Sequence, residues 1–187
     1  MAKDKSRNTL RVVAQITVGI IFFIFIGGSM ALYQNTLIKW WIPVSVTAAM
    51  ALISAGLMHR RWRRLTGSDS PIFNFICHAA FSFSLFLFAF FAGNYFFADD
   101  GTKHTEEVVV EKRFREERHR TRRVGRRTVR TGEVYYEHYI DVRFSDGRIK
   151  TLHVSDKKSR SIRTGATLPL EVEMGYFGIP VIKSRNF

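Results

Sequence analysis

The sequence predicts a membrane α-helical region of three transmembrane helices, followed by an all-β domain of about five to six strands, a small barrel or sandwich. Three observations predict it. Apolar runs of membrane-spanning length fill the first 98 residues. The composition changes abruptly at residue 99. Beyond that point apolar and polar residues alternate with a period of two, the signature of half-buried strands.

The spans are taken in order. The first covers residues 12–33 within a chain that starts Met-Ala-Lys-Asp-Lys-Ser-Arg. At about 1.5 Å per residue it covers roughly 33 Å, enough for a hydrocarbon core of about 30 Å. It is longer than a signal peptide's apolar core, and no clean small-x-small site ends it, so a retained helix is expected. The second covers residues 37–58. The third, 72–98, is rich in Phe on every side, from Phe73 to Phe97, and contains no Asp, Glu, Lys or Arg. A helix with no polar face suits lipid better than water. A buried helical hairpin in a soluble protein would need a far larger body to cover three such runs.

Charge sets the expected orientation. Lys3, Lys5, Arg7 and Arg11 precede the first span, and His59-Arg60-Arg61-Trp62-Arg63-Arg64 follows the second. Only Lys39, beside Trp40 and Trp41, lies in the turn between them. Basic loops stay cytoplasmic, so residues 1–11 and the 59–70 loop are expected inside. An odd number of spans then places residues 99–187 outside the cytoplasm, and the expected location is a bacterial inner membrane. Those residues hold 20 Lys and Arg against 14 Asp and Glu. Such a charge would by itself suggest the cytoplasm, but long domains cross largely regardless of charge. Tyr33, Trp40, Trp41, Trp62 and Tyr95 fall where interfacial aromatic belts form.

Within the spans, small residues four apart could let helices approach closely: Gly27 and Ala31, Ala51 and Ala55, Ala89 and Gly93. Asn74, His78 and Ser82 share one stripe of the third span. Intramembrane polar groups mark function by default, and an interhelical hydrogen bond is the competing explanation. No carboxylate accompanies them, so a proton relay has little support. Cys77, the one cysteine, permits neither an internal disulfide nor a cysteine metal site.

In the second half, Val134, Tyr136, His138, Ile140, Val142 and Phe144 alternate with polar neighbours as one strand. Asp146-Gly147 is a hairpin signal leading to a return strand at 149–154. Ser155 to Arg163 carries a Ser cap and a Gly165 stop, which predicts one helical turn or an ordered loop. Leu168, Leu170, Val172 and Met174 form the next strand, with Pro169 placing it at an edge or at a bulge. A last short strand at 179–183 follows Gly175-Tyr176-Phe177-Gly178. Ahead of all these, residues 108–120 form a long strand, and 122–130 is expected to pair with 134–144 across Thr131-Gly132.

This pattern, from Tyr139 to Phe144, the Asp146-Gly147 turn, Gly165, the 168–174 strand and the Gly-rich last turn, resembles small OB- or SH3-like β domains attached to bacterial membrane helices. The resemblance covers about residues 130–185 and implies a fold, with no catalytic residues attached to it.

The site expectation falls on a cationic run: Arg113, Arg115, Arg118, Arg120, Arg122, Arg123, Arg126, Arg127 and Arg130. Glutamates accompany only its beginning, and from Arg118 to Arg130 no acid intervenes. In a strand, alternate guanidiniums lie side by side and repel unless an anion or a facing carboxylate is near. One reading is an anion- or partner-binding surface, since the guanidinium fork suits phosphate and carboxylate. The other is a solvated edge whose charge prevents aggregation. Nucleic acid is not the expected ligand of a domain outside the cytoplasm.

There is no Gly-rich phosphate loop, HExxH or Gly-x-Ser-x-Gly, and His104, His119, His138 and His153 are scattered. No enzyme activity and no cofactor are expected. The leading expectation is a structural or accessory subunit of an envelope membrane complex, with lipid and protein partners or self-association. The alternatives are a membrane-anchored binding module for anionic lipid, glycan or polymer, and an oligomeric channel or transporter subunit.

Overall fold

The computed structural model describes the backbone of residues 2–124 and 127–183. Side chains at 2–7, 122–128, 130 and 131 lie outside the described residues. The chain divides into two compact units. One comprises Met1–Asp99 with Met174–Val181; the other comprises Asp100–Glu173 with Ile182–Phe187.

The first unit is built on α1 (Ala2–Gln34), α2 (Trp41–Thr66) and α3 (Pro71–Phe96). Each contains a stretch long and apolar enough to cross a membrane, and the protein is a membrane protein on that ground. Pro43 sits in the first turn of α2, where a missing N–H costs nothing, so the helix starts at Trp41 and residues 37–40 are turn. The basic 59–64 segment continues α2 to Gly67, whose φ of +69° and N–H to the Arg63 carbonyl close the helix. Ser70 caps α3 by accepting the Phe73 N–H, and Pro71 opens it.

Helix α3 packs against both of its neighbours, while α1 and α2 barely touch. Close approach uses small residues, but not always the expected ones. Ala51 and Ala55 are buried, whereas Gly27, Ala31 and Ala89 are exposed. Gly28 makes the tight α1–α3 contact: a Cβ there would meet the Phe88 ring at 2.6 Å. That ring stacks on Phe25 with centroids 5.0 Å apart.

The second unit contains most of a five-stranded antiparallel sheet. Its strands are β1 (Asp99–Val124), β2 (Arg127–Arg143), β3 (Ile149–Val154), β4 (Thr167–Met174) and β5 (Pro180–Ile182), in spatial order β3-β2-β1-β4-β5. A one-turn helix, α4 (Asp156–Ser161), links β3 to β4. The order is linear, with β3 and β5 at its ends, so among the described residues the strands make one sheet and show no barrel closure. β4 lies inside this order and is not the edge suggested by Pro169. Its partner β5 is only three residues long, and Lys183 N donates to the Glu171 carbonyl two residues from the proline.

Val108, Val110, Ile140, Val142, Phe144, Leu152, Val154, Leu170 and Val172 form the buried core on one face. The period-two pattern of β2 is therefore realised only in its second half. Val134 and Tyr136, in phase with Ile140, are exposed because β3 pairs with β2 from His138 onward and covers nothing before it.

Lys150, opposite Val142 in the β2–β3 ladder, is half-buried, and burial pushes its ammonium down to about 8. A base whose pKa is lowered by folding destabilises the fold below that value. The penalty is relieved as pH rises from about 8 towards the ordinary lysine range. Partial exposure reduces the effect to about 1–2 kcal/mol. Lys150→Met should raise the melting temperature at pH 7 and flatten the wild-type gain between pH 8 and 10. A variant no more stable than wild type at pH 7 would contradict this.

Candidate functional site

The arginine run belongs to a two-stranded ribbon. β1 and β2 stay paired from Val109↔Arg143 out to Val124↔Arg127, well past the ends of β3 and β4. Val124 already pairs with Arg127, so Thr131-Gly132 is not the hairpin turn that the sequence suggested. Gly132 does have positive φ, +76°, but it lies inside β2 at a register shift. Between His119↔Val134 and Thr121↔Arg130, one residue of β1 faces three of β2. A glycine of this conformation marks a bulge as readily as a hairpin turn. Residues 111–124 alone extend roughly 45 Å at about 3.3 Å per residue.

A ribbon without a covering layer is marginal, so its cross-strand pairs matter. On one face, Phe114 sits opposite Tyr139 and the rings stack at 5.5 Å. The next pair, Glu116 opposite Glu137, would repel. Arg118 resolves the conflict by donating to Glu116 at 2.8 Å and to Glu137 at 3.2 Å. The Tyr139 hydroxyl also donates to Glu137 at 2.7 Å. That bond raises the Tyr139 phenol and, with Arg118 beside it, holds the Glu137 carboxyl below its usual range. Past the bulge, Arg120 pairs with Glu133 at 3.2 Å.

On the other face, Arg113 Nη1 donates to the carbonyls of Ser159 (2.7 Å) and Ile162 (3.2 Å), covering the C-terminal end of α4. Arg115 lies over the Tyr136 ring at 4.5 Å. His138 Nε2 stands 3.2 Å from Asp156, which also takes Arg160. These residues, with Phe114 and Ser159, line an open polar cavity of about 480 Å³ at the ribbon's base.

The expected row of like charges thus divides. Arg118 and Arg120 meet acids that sequence distance concealed, Glu133 and Glu137, because only strand pairing brings them near. Arg113 serves α4, and Arg115 serves Tyr136. The side chains of Arg122, Arg123, Arg127 and Arg130, and all of Arg126, lie outside the described residues. Interleaved with the cations, Val134, Tyr135 and Tyr136 are exposed.

The intramembrane stripe turns inward. Asn74, His78 and Ser82 are all buried. Ser54 of α2 lies with its Oγ 2.9 Å from His78 Nε2. The Asn74 amide oxygen accepts from the Thr66 hydroxyl, and its nitrogen donates to the Ser68 carbonyl at 2.9 Å. Trp62 packs edge-on to His78 at 5.5 Å. The stripe therefore carries interhelical hydrogen bonds.

A second polar site escaped the sequence reading. Asn94, wholly buried near the end of α3, accepts the Phe177 N–H at 3.1 Å and donates to the Ile179 carbonyl at 3.0 Å. Phe177 stacks on Phe90 at 5.1 Å, and Leu37 N donates to the Pro180 carbonyl at 2.9 Å. The 174–181 segment is thereby fixed to the helices. The available signal was a second Asn in the apolar third span, paired with a distant Gly-aromatic-aromatic-Gly turn.

Among the described residues no three His, Cys, Asp or Glu gather as a metal ion would need. Compared with protein-family models, curated proteins and solved structures, the chain matches none.

Proposed function

We propose that this protein is a non-enzymatic, membrane-anchored docking subunit of an envelope complex, with the β1–β2 ribbon as its docking element. The observation that carries the proposal is the ribbon itself. Its outer part contributes nothing to the sheet's buried core, yet it displays tyrosines and arginines, the residues enriched where partners bind. Its cations favour an acidic partner, and electrostatic complementarity would speed the encounter. The three helices hold the ribbon at the membrane, with the β domain outside the cytoplasm by the loop-charge argument.

A photo-crosslinking residue at Tyr135 tests the reading in cells. The expected result is one adduct of discrete mass, absent when the same residue replaces the equally accessible Ile149 of β3 and weakened by Arg120→Glu. Labelling at Tyr135 no more discrete than at Ile149 would refute docking by the ribbon. A topology reporter fused after Phe187 should read extracytoplasmic, and a cytoplasmic signal would move the partner to the other side.

A second reading, binding of an anionic lipid or polymer, draws on the acid-free stretch from Arg118 to Arg130. It predicts that replacing Arg122, Arg123, Arg126 and Arg127 with Ser abolishes binding to anionic liposomes.

A further inference from the structure

Because α1 and α2 barely touch, a groove remains between them, floored by α3. Phe73, Cys77, Ala80 and Phe81 occupy one face of α3, and the small pair Cys77 and Ala80 keeps the floor low. Val18, Gly19 and Phe22 form one wall; Trp62, Leu65 and Thr66 form the other. The cavity holds about 370 Å³ and is almost entirely apolar. That volume is too small for a helix, about 10 Å across, and suits a single hydrocarbon chain.

One end of the groove is polar and cationic. Gln15 Nε2 donates to the Leu65 carbonyl at 2.9 Å, joining α1 to the C-terminus of α2. Arg11, one turn before Gln15, lays its guanidinium against Gly67. Its Nη2 donates to Asn8 at 2.7 Å. Arg63 is paired with Asp69 at 2.6 Å.

An apolar slot with an arginine at its mouth is complementary to an amphiphile with a negative head. We propose that the groove seats one acyl chain of an anionic glycerophospholipid, with Arg11 meeting its phosphate. The claim is independent of the docking ribbon.

The test uses Trp62 as reporter. The chain has three tryptophans, so Trp40→Phe and Trp41→Phe leave Trp62 alone in full-length protein reconstituted in phosphatidylcholine nanodiscs. Phosphatidylglycerol brominated on its acyl chains should quench Trp62 more strongly than equally brominated phosphatidylcholine, with about fivefold local enrichment from Arg11. Gly19→Leu fills the groove without a clash, since a Cβ there meets nothing within 4 Å. It should erase the preference, as should Arg11→Gln. Equal quenching by the two lipids, or a preference that survives either change, would overturn the proposal.

Discussion

Replacing Asn94 with Leu should release the Gly175–Gly178 turn from the helices and cost about 2–6 kcal/mol of local stability. The figure follows from two buried backbone groups, Phe177 N–H and Ile179 C=O, each losing its partner at about 1–3 kcal/mol. Leucine has as many side-chain heavy atoms as asparagine, branched at the same carbon, so the chief change is the loss of the two hydrogen bonds. Hydrogen exchange read at the Phe177 amide should accelerate at least about tenfold, because about 1.4 kcal/mol already corresponds to a factor of ten. Gly175→Ala should produce the same phenotype from the opposite side, since its new Cβ would collide with the Asn94 amide. If Phe177 stays protected in both variants, the clamp is not what holds the turn.

Replacing Arg118 with Met should reverse the pH response of the ribbon. In the wild type, the Glu137 carboxyl is held below its usual range, chiefly by the Tyr139 hydroxyl and further by Arg118. Its contribution is thus present above the ordinary carboxylate pKa and fades as pH falls. Without Arg118, Glu116 and Glu137 face each other unbridged. Repulsion then loosens the ribbon at neutral pH and is relieved when acid protonates one of them. Amide protection of Glu117 and Tyr136, corrected for intrinsic exchange rates, should fall with acid in the wild type and rise with acid in the variant. The same sign in both proteins would show that Arg118 does not bridge the carboxylates. Ribbon order is also what docking requires, so the variant should lose the Tyr135 crosslink at neutral pH.

The helices were legible because span length and apolar content are properties of a continuous stretch. So were the Asp146-Gly147 turn, where Gly147 takes φ of +81°, and α4, where Ser155 accepts the Lys158 N–H as its cap. These depend on residues within a few positions of each other. Gly132 shows the limit of such reasoning. A turn across Thr131-Gly132 was expected, yet whether the chain reverses there or bulges depends on the register with the paired strand β1.

The candidate site was half legible. Its arginines stand out in any composition count, but their partners do not. Glu137 is 19 residues from Arg118, and Ser159 is 46 from Arg113. Asn94 and the turn it holds are more than 80 residues apart. Hydrogen bonds and ion pairs reach only about 3 Å, so which distant groups share them is set by the packed chain.

By itself, then, the sequence determined a three-helix membrane protein with a basic β domain, since burial of apolar surface acts on local composition and period. Tertiary structure alone decided that the arginines stand on a paired ribbon, that glutamates from the opposite strand meet some of them, and that a groove opens between α1 and α2. Those outcomes rest on register and on which small residues, Gly28 instead of Gly27, let elements approach.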